Sequence, residues 1–298
     1  MKLYNRETPK VLLLGNGINK AFGFPSWEEL LSSITSNHLT DEEIKTIEKM
    51  PYPLQPVVLT DDSIDIKMKK ISSELTEFDA TVEEKEIINK FIGLPFDSVL
   101  TTNYTYEIEK SINPSFKCKP SRVCKYRKKV DIPGGNDVKR RLHTYFEIEK
   151  DSMPIWHIHG EAAIPDTMIL GHYYYGKLLS RIQQYISKLL KRYHHCLKID
   201  GEMDYKSWVD YFMLGDVFIV GQGMNLSEMD LWWMVNCKKR NFQVKIYMYK
   251  PDATLDEILL MKAYGINLVT EGLEGDDYKK YYNWLYENIA NQLYKEYE

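Results

Sequence analysis

The residues able to do chemistry cluster in four short stretches. Asp97-Ser98-Val99-Leu100-Thr101-Thr102-Asn103-Tyr104 is β-prone from Val99 and ends in polar groups. At the C-terminal end of a parallel strand, Asn103 would present an amide to a ligand. Thr102 and Asn103 are equally placed to cap a helix beginning near Tyr104. In Ile155-Trp156-His157-Ile158-His159-Gly160-Glu161, strand alternation puts His157 and His159 on one face and Trp156 and Ile158 on the other. A histidine at a strand end beside a flexible glycine can act as a general base; two structural histidines are the plainer alternative. His-x-His is also a zinc-ligand spacing, but no third ligand stands nearby, so no metal is expected.

The other two stretches are glycine turns. Lys10-Val11-Leu12-Leu13-Leu14 runs into Gly15-Asn16-Gly17-Ile18-Asn19, and Asp216-Val217-Phe218-Ile219-Val220 into Gly221-Gln222-Gly223-Met224-Asn225. A buried strand, a glycine turn and a helix start together make an anion site, because backbone N–H groups and the helix N-terminus can approach a phosphate. A plain strand-to-helix turn reads the same way. Lys20 occupies the place of the third glycine of the dinucleotide fingerprint, which disfavours an ordinary dehydrogenase.

Further elements must position these stretches. Ser26 with Glu29, and Thr40 with Glu43, have capping-box spacing. Residues 51–65 contain prolines and no period, and read as loop. Thr81 to Leu94 read as an amphipathic helix with Ile87, Ile88, Phe91 and Ile92 on one side. Residues of about 26–94 thus form a helical insert after the first strand. Lys117, Lys119, Arg122, Lys125, Arg127, Lys128 and Lys129 make a basic run, read as solvated loop or as a surface for an acidic partner, and Pro133-Gly134-Gly135-Asn136 reads as a turn. They lie in a variable segment of about 113–143. Thr167 to Gly176 read as a short strand and turn. A helical segment of about 177–213 follows, with Leu178, Ile182, Ile186 and Leu189 at helical spacing. Ser227 is placed to cap a helix carrying Asp230, Trp232 and Trp233. Val244 to Tyr249 and Ile266 to Val269 read as strands, and Leu255 to Ala263 and Tyr278 to Tyr294 as helices. Alternating strands and helices give an α/β fold with a doubly wound parallel sheet.

Composition sets the bounds. The 298 residues are 44% apolar, enough to bury a core, and the net charge is −4, so nothing global attracts nucleic acid or an anionic membrane. Direct nucleic-acid binding is not expected. No apolar run is long enough to span a bilayer, and no signal-peptide core follows Met1. Cys118, Cys124, Cys196 and Cys237 form no C-x-x-C pair, which fits a reducing cytoplasm.

The order of Gly15-Asn16-Gly17-Ile18-Asn19, Thr101-Thr102-Asn103-Tyr104, His157-Ile158-His159-Gly160 and Gly221-Gln222-Gly223-Met224-Asn225 resembles the sirtuin superfamily. The closer resemblance is to the sirtuin-like NAD hydrolases of bacterial antiphage defence, over about residues 10–270. Leu170-Gly171-His172-Tyr173-Tyr174-Tyr175-Gly176 is similar to a segment common among these bacterial proteins. The resemblance implies one Rossmann-like domain over 1–298. It implies that the first turn (Gly15, Asn16, Gly17, Asn19) holds the NAD pyrophosphate. Asn103 would be the catalytic asparagine near the nicotinamide ribose and His159 the catalytic histidine, with Thr101, Thr102 and the pocket residue His157 among the NAD-binding residues. Gly221, Gly223 and Asn225 would hold the adenosine half, and Asp230 matches an acidic residue of the following helix. Thr105 stands where many relatives have aspartate, and the four-cysteine zinc module of protein deacylases is absent.

The implied activity is cleavage of the nicotinamide–ribose bond to give nicotinamide and ADP-ribose, with NAD as substrate and no metal. The implied setting is cytoplasmic antiphage defence by NAD depletion. The alternatives are a non-catalytic NAD or ADP-ribose-binding signalling module and an ADP-ribosyl transferase or deacylase. An unrestrained NAD hydrolase would kill its own cell, so a homo-oligomer or a partner chain is expected to restrain it, meeting the insert or the basic segment 117–129.

Overall fold

The structure is a computed structural model that describes residues 8–24, 26–118, 124–130, 141–149, 152–199, 201–273 and 277–295. Lys119, Arg122 and the turn 133–136 therefore lie outside the described residues. In chain order the elements are β1 (Lys10–Leu14), α1 (Gly17–Ala21), α2 (Trp27–Ser32), α3 (Asp41–Ile47), α4 (Gln55–Val58), α5 (Ile64–Glu77), α6 (Val82–Ile92), β2 (Ser98–Thr101), α7 (Glu107–Ile112), β3 (Arg127–Lys129) and β4 (Thr144–Phe146). They continue with β5 (Ile155–His157), α8 (His172–Ile199), α9 (Trp208–Leu214), β6 (Asp216–Val220), α10 (Met229–Asn241), β7 (Ile246–Lys250), α11 (Leu255–Tyr264), β8 (Asn267–Thr270) and α12 (Tyr278–Lys295).

The sheet order is β3-β4-β5-β2-β1-β6-β7-β8. From β5 to β8 all neighbours are parallel, while β3 and β4 add an antiparallel edge. β1 lies at the centre, between β2 and β6, and all five of its residues are buried, as a strand covered on both faces requires. Its side chains alternate between two cores. Val11 and Leu13 pack with α8, α9 and α10, whereas Leu12 and Leu14 pack with α6, α7 and α12. The expected doubly wound α/β architecture is present.

A third core belongs to the insert. Leu30, Leu31, Ile34, Ile47, Leu59, Met68, Ile71 and Leu75 pack together and against Ala162, Met168 and Leu170 of the turn after β5. Ser72 Oγ donates to the Ala162 carbonyl at 2.7 Å, which fixes the insert to that turn. The capping boxes at Ser26–Glu29 and Thr40–Glu43 form as the spacing predicts. Helix α6 buries Ile87, Ile88 and Phe91 against the sheet rather than in the insert core.

Several local expectations are corrected. Residues 172–176 are the first turns of α8, not a strand and turn: the segment is tethered at its start, His172 N–H donating to the Pro53 carbonyl at 2.9 Å, and helix propagates from there. Within 51–65, Gln55–Val58 is a helical turn. Arg127–Lys129 pair with β4 as an edge strand instead of a solvated loop, because Arg127 is drawn in by Glu161. Ser227 does not cap α10. Its N–H and hydroxyl both donate to Asn225 Oδ1, and the helix starts two residues later.

Lys238 locks α10 in place. Its fully buried ammonium donates to the Phe212 carbonyl at 2.6 Å and to the Gly215 carbonyl, joining α10 to the α9–β6 junction. Burial pushes its pKa down to about 7. Lys238→Met should lower the unfolding free energy by about 1–3 kcal/mol for each carbonyl left unpaired. An unchanged midpoint in urea unfolding would refute this role.

Candidate active site

A cleft of about 720 Å³ runs along the C-terminal edge of the parallel strands. The turns after β5, β2, β1, β6 and β7 meet there, and the insert supplies an aromatic wall that includes Trp27 and Tyr52. Of the residues singled out from sequence, Asn16, Gly17, Thr102, Asn103, His159, Gly221, Gly223 and Asn225 line it. Gly15, Asn19, Thr101, His157 and Asp230 do not.

The glycines serve a different purpose from the expected phosphate cradle. Gly15 N–H donates to the Val220 carbonyl at 2.9 Å and Gly17 N–H to the Gly221 carbonyl at 2.6 Å, so both donors are spent inside the protein. A Cβ on Gly17 would meet that carbonyl oxygen at 2.5 Å, and one on Gly15 would meet Gln222 Oε1 at 2.1 Å. Gly15, Gly17 and Gly221 are glycines where the two turns touch backbone to backbone. Gly221 and Met224 both take left-handed φ, +65° and +50°. Asn19 is buried in α1, its amide without a hydrogen-bond partner among the described residues.

Asn103 is not a helix cap: α7 begins at Glu107, and Asn103 Nδ2 donates to Glu107 Oε1 at 2.5 Å. Its Oδ1 is buried with no hydrogen-bond partner among the described residues. An acceptor held in place at the edge of a cleft is suited to a ligand hydroxyl or a water. Glu107 thus supplies a carboxylate two residues beyond Thr105, which itself lines the cleft. Thr101 Oγ1 accepts from Asn103 N–H at 3.1 Å and sits behind it.

The two histidines do not share a face. β5 ends at His157, so strand alternation stops there. His159 Nε2 donates to Asp230 Oδ2 at 2.9 Å, and its ring lies edge-on to Tyr175 of α8. Asp230 is fully buried in the first turn of α10, where the helix dipole favours a carboxylate. In the neutral ring this arrangement leaves the lone pair on Nδ1. His157 points to the opposite layer. Its Nδ1 donates to the Asn103 carbonyl at 2.8 Å and its Nε2 to Glu109 Oε1 at 2.9 Å. Burial works against its charge, but Glu109 prevails and holds the pKa up at about 9. His157 is a buried imidazolium that supports Asn103 from behind.

Sequence reasoning missed Gln222 and Glu228. Gln222 Oε1 accepts from Thr102 Oγ1 at 3.0 Å, and its Nε2 donates to Glu228 Oε1 at 2.6 Å. Burial, together with the nearby Asp230 charge, pushes Glu228 up to about 7 against the opposing pull of His159. The only signal was an acid next to the late turn. Lys20, exposed on α1, also lines the cleft. No group of three or more His, Cys, Asp or Glu side chains suited to a metal occurs among the described residues.

The SIR2-like domain family model matches residues 97–269, more than half of the chain. The chain belongs to the SIR2-like family. That membership connects it with NAD-related activity in general. The match starts at Asp97, yet β1 and the first glycine turn lie between the matched strands β2 and β6, so they complete the SIR2-like sheet in space. No curated protein matches the chain. Among the described residues, no helix is long and apolar enough to cross a membrane.

His157→Gln should cost roughly 3–5 kcal/mol, because Glu109 is left as an uncompensated buried charge. The folded-state pKa of His157 lies above its ordinary 6.5. Its contribution to stability is therefore full below about pH 6.5 and lost as pH rises through about 9. The melting-temperature gap between wild type and His157→Gln should shrink from pH 7 to pH 9.5. A gap that stays constant would refute the ion pair.

Proposed function

We propose that the chain is an NAD glycohydrolase that releases nicotinamide and leaves ADP-ribose. The observation that carries this reading is the juxtaposition, at one end of the cleft, of an oriented amide with an unfilled acceptor and an oriented imidazole. Glu107 fixes Asn103, and Asp230 fixes His159. From β5 to β7 the sheet edge spans four strand spacings, about 19 Å, the scale of a dinucleotide rather than a mononucleotide.

Nicotinamide departs as a neutral molecule from a cationic ring, so no general acid is needed. The transition state has oxocarbenium character, as in glycoside cleavage. Asn103 Oδ1 would accept from a ribose hydroxyl or the attacking water and set its position. His159 would take the water's proton, and Asp230 would stabilise the imidazolium that forms. The nearby Glu228 carboxylate would favour positive charge developing on the ribose. Asn16 and Lys20, which line the cleft, would meet the pyrophosphate, and Gly221, Gly223 and Asn225 the adenosine half. The proposed setting is cytoplasmic antiphage defence by NAD depletion, with restraint by self-assembly or a partner chain. Its support is the likeness of the four motifs to those of such proteins.

Nicotinamide release from NAD tests the reading directly. His159→Ala should lower turnover on the order of 10²-fold or more. Asn103→Ala should lower turnover while calorimetry still shows NAD binding. NAD binding without nicotinamide release by the wild type would instead favour a signalling module. Glu228→Gln should flatten the pH dependence of turnover between pH 6 and 8, the range in which Glu228 itself ionises. An unchanged profile would remove Glu228 from the reaction.

A further inference from the structure

A second cavity, of about 450 Å³, lies behind the turn after β5 and shares no lining residue with the cleft. The end of β5 and the turn after it divide between the two cavities: His157 and Gly160 line the second, and His159 lines the cleft. The remaining walls come from β3, β4, α8, the turn beyond Glu161 and Asp65 of α5.

Its charge runs against that of the chain. The protein carries a net −4, yet this cavity gathers Arg127, Lys128, Lys129, Lys177 and Arg181 against three carboxylates. One of those carboxylates is already satisfied. Glu161 accepts Arg127 Nε at 3.0 Å and Nη2 at 2.5 Å, and Tyr106 Oη at 2.7 Å. Lys128 and Lys177 are exposed. The Lys128 ammonium is 3.8 Å from Glu147, and that of Lys177 lies over the Tyr173 ring. Behind the cations, Phe146, Ile164, Tyr174 and Leu178 give an apolar interior. Cationic groups at the mouth and aromatic side chains within suit a ligand with an anionic head and a flat or apolar body.

We propose that this cavity binds a phosphorylated small molecule of mononucleotide size, separately from the cleft. Lys128 and Lys177 meet the phosphate at the rim, and Phe146 and Tyr174 take the body. The ligand sits against the turn that carries His159, and through the Arg127–Glu161 pair it touches the residue two beyond that histidine. Occupancy is therefore expected to alter chemistry in the cleft. The binding claim does not rest on NAD cleavage, so the two readings fail separately.

Isothermal titration of the full chain with 5′-AMP tests the proposal, with ribose 5-phosphate and inorganic phosphate as parallel probes. Two classes of site are expected for AMP, one in each cavity. The double variant Lys128→Glu/Lys177→Glu should weaken one class at least tenfold and leave the other unchanged. Lys20→Glu, in the cleft, should do the reverse. AMP binding without ribose 5-phosphate binding assigns the body to a nucleobase, and equal binding of the two assigns it to a sugar phosphate. Saturation of the second class by inorganic phosphate alone would overturn the size assignment. If no AMP binding up to millimolar concentration is weakened by the double charge reversal, the proposal is overturned; a single class that the reversal weakens upholds it and places the failure in the cleft.

Discussion

The contact between two glycine turns governs the geometry of the cleft. β1 and β6 are neighbours, and their following turns meet backbone to backbone, with Gly17 N–H on the Gly221 carbonyl at 2.6 Å. No side chain fits between them. Because the turns touch, Gln222 can pass over Gly15 and reach Thr102 beyond β1 on one side and Glu228 on the other. One amide thus joins the end of β2 to the start of α10, and the polar groups of the cleft are set relative to one another by backbone packing.

Behind that surface lie buried histidine–carboxylate pairs. His157–Glu109 and His159–Asp230 are each formed by a histidine of one short segment and an acid from a helix on opposite layers of the sheet. The desolvation of such pairs is costly, and their gain in stability is modest. What they provide is orientation. His157 holds the carbonyl of Asn103, and Asp230 holds the ring of His159, so the two proposed reacting groups are fixed from outside the cleft.

The insert closes the arrangement. Its core packs on Ala162, Met168 and Leu170, and Tyr104 Oη donates to the Ile169 carbonyl at 2.8 Å. The turn that carries His159 is therefore clamped between the sheet and the insert. Movement of the insert would be felt at that turn, as would a ligand in the cavity behind it.

Local pattern determined much of this protein. Apolar runs ending in glycine gave the central strands β1 and β6, since a strand covered on both faces must be apolar throughout. Capping spacings gave α2 and α3, because a cap acts within four residues. Motif order gave the family and several residues that line the cleft, among them Asn103, His159 and the late turn. Tertiary structure decided what each polar residue faces. Alternation could not orient His159, because the strand stops at His157. The glycine N–H groups could not be assigned to a phosphate from sequence, because their acceptors lie some 200 residues away on another turn. Asp230, Glu107, Glu109 and Glu228 are ordinary helix acids by spacing. Only the packing of α7 and α10 against the ends of β2 and β5 brings them within hydrogen-bond reach of the amide and the imidazoles, or of the glutamine beside them.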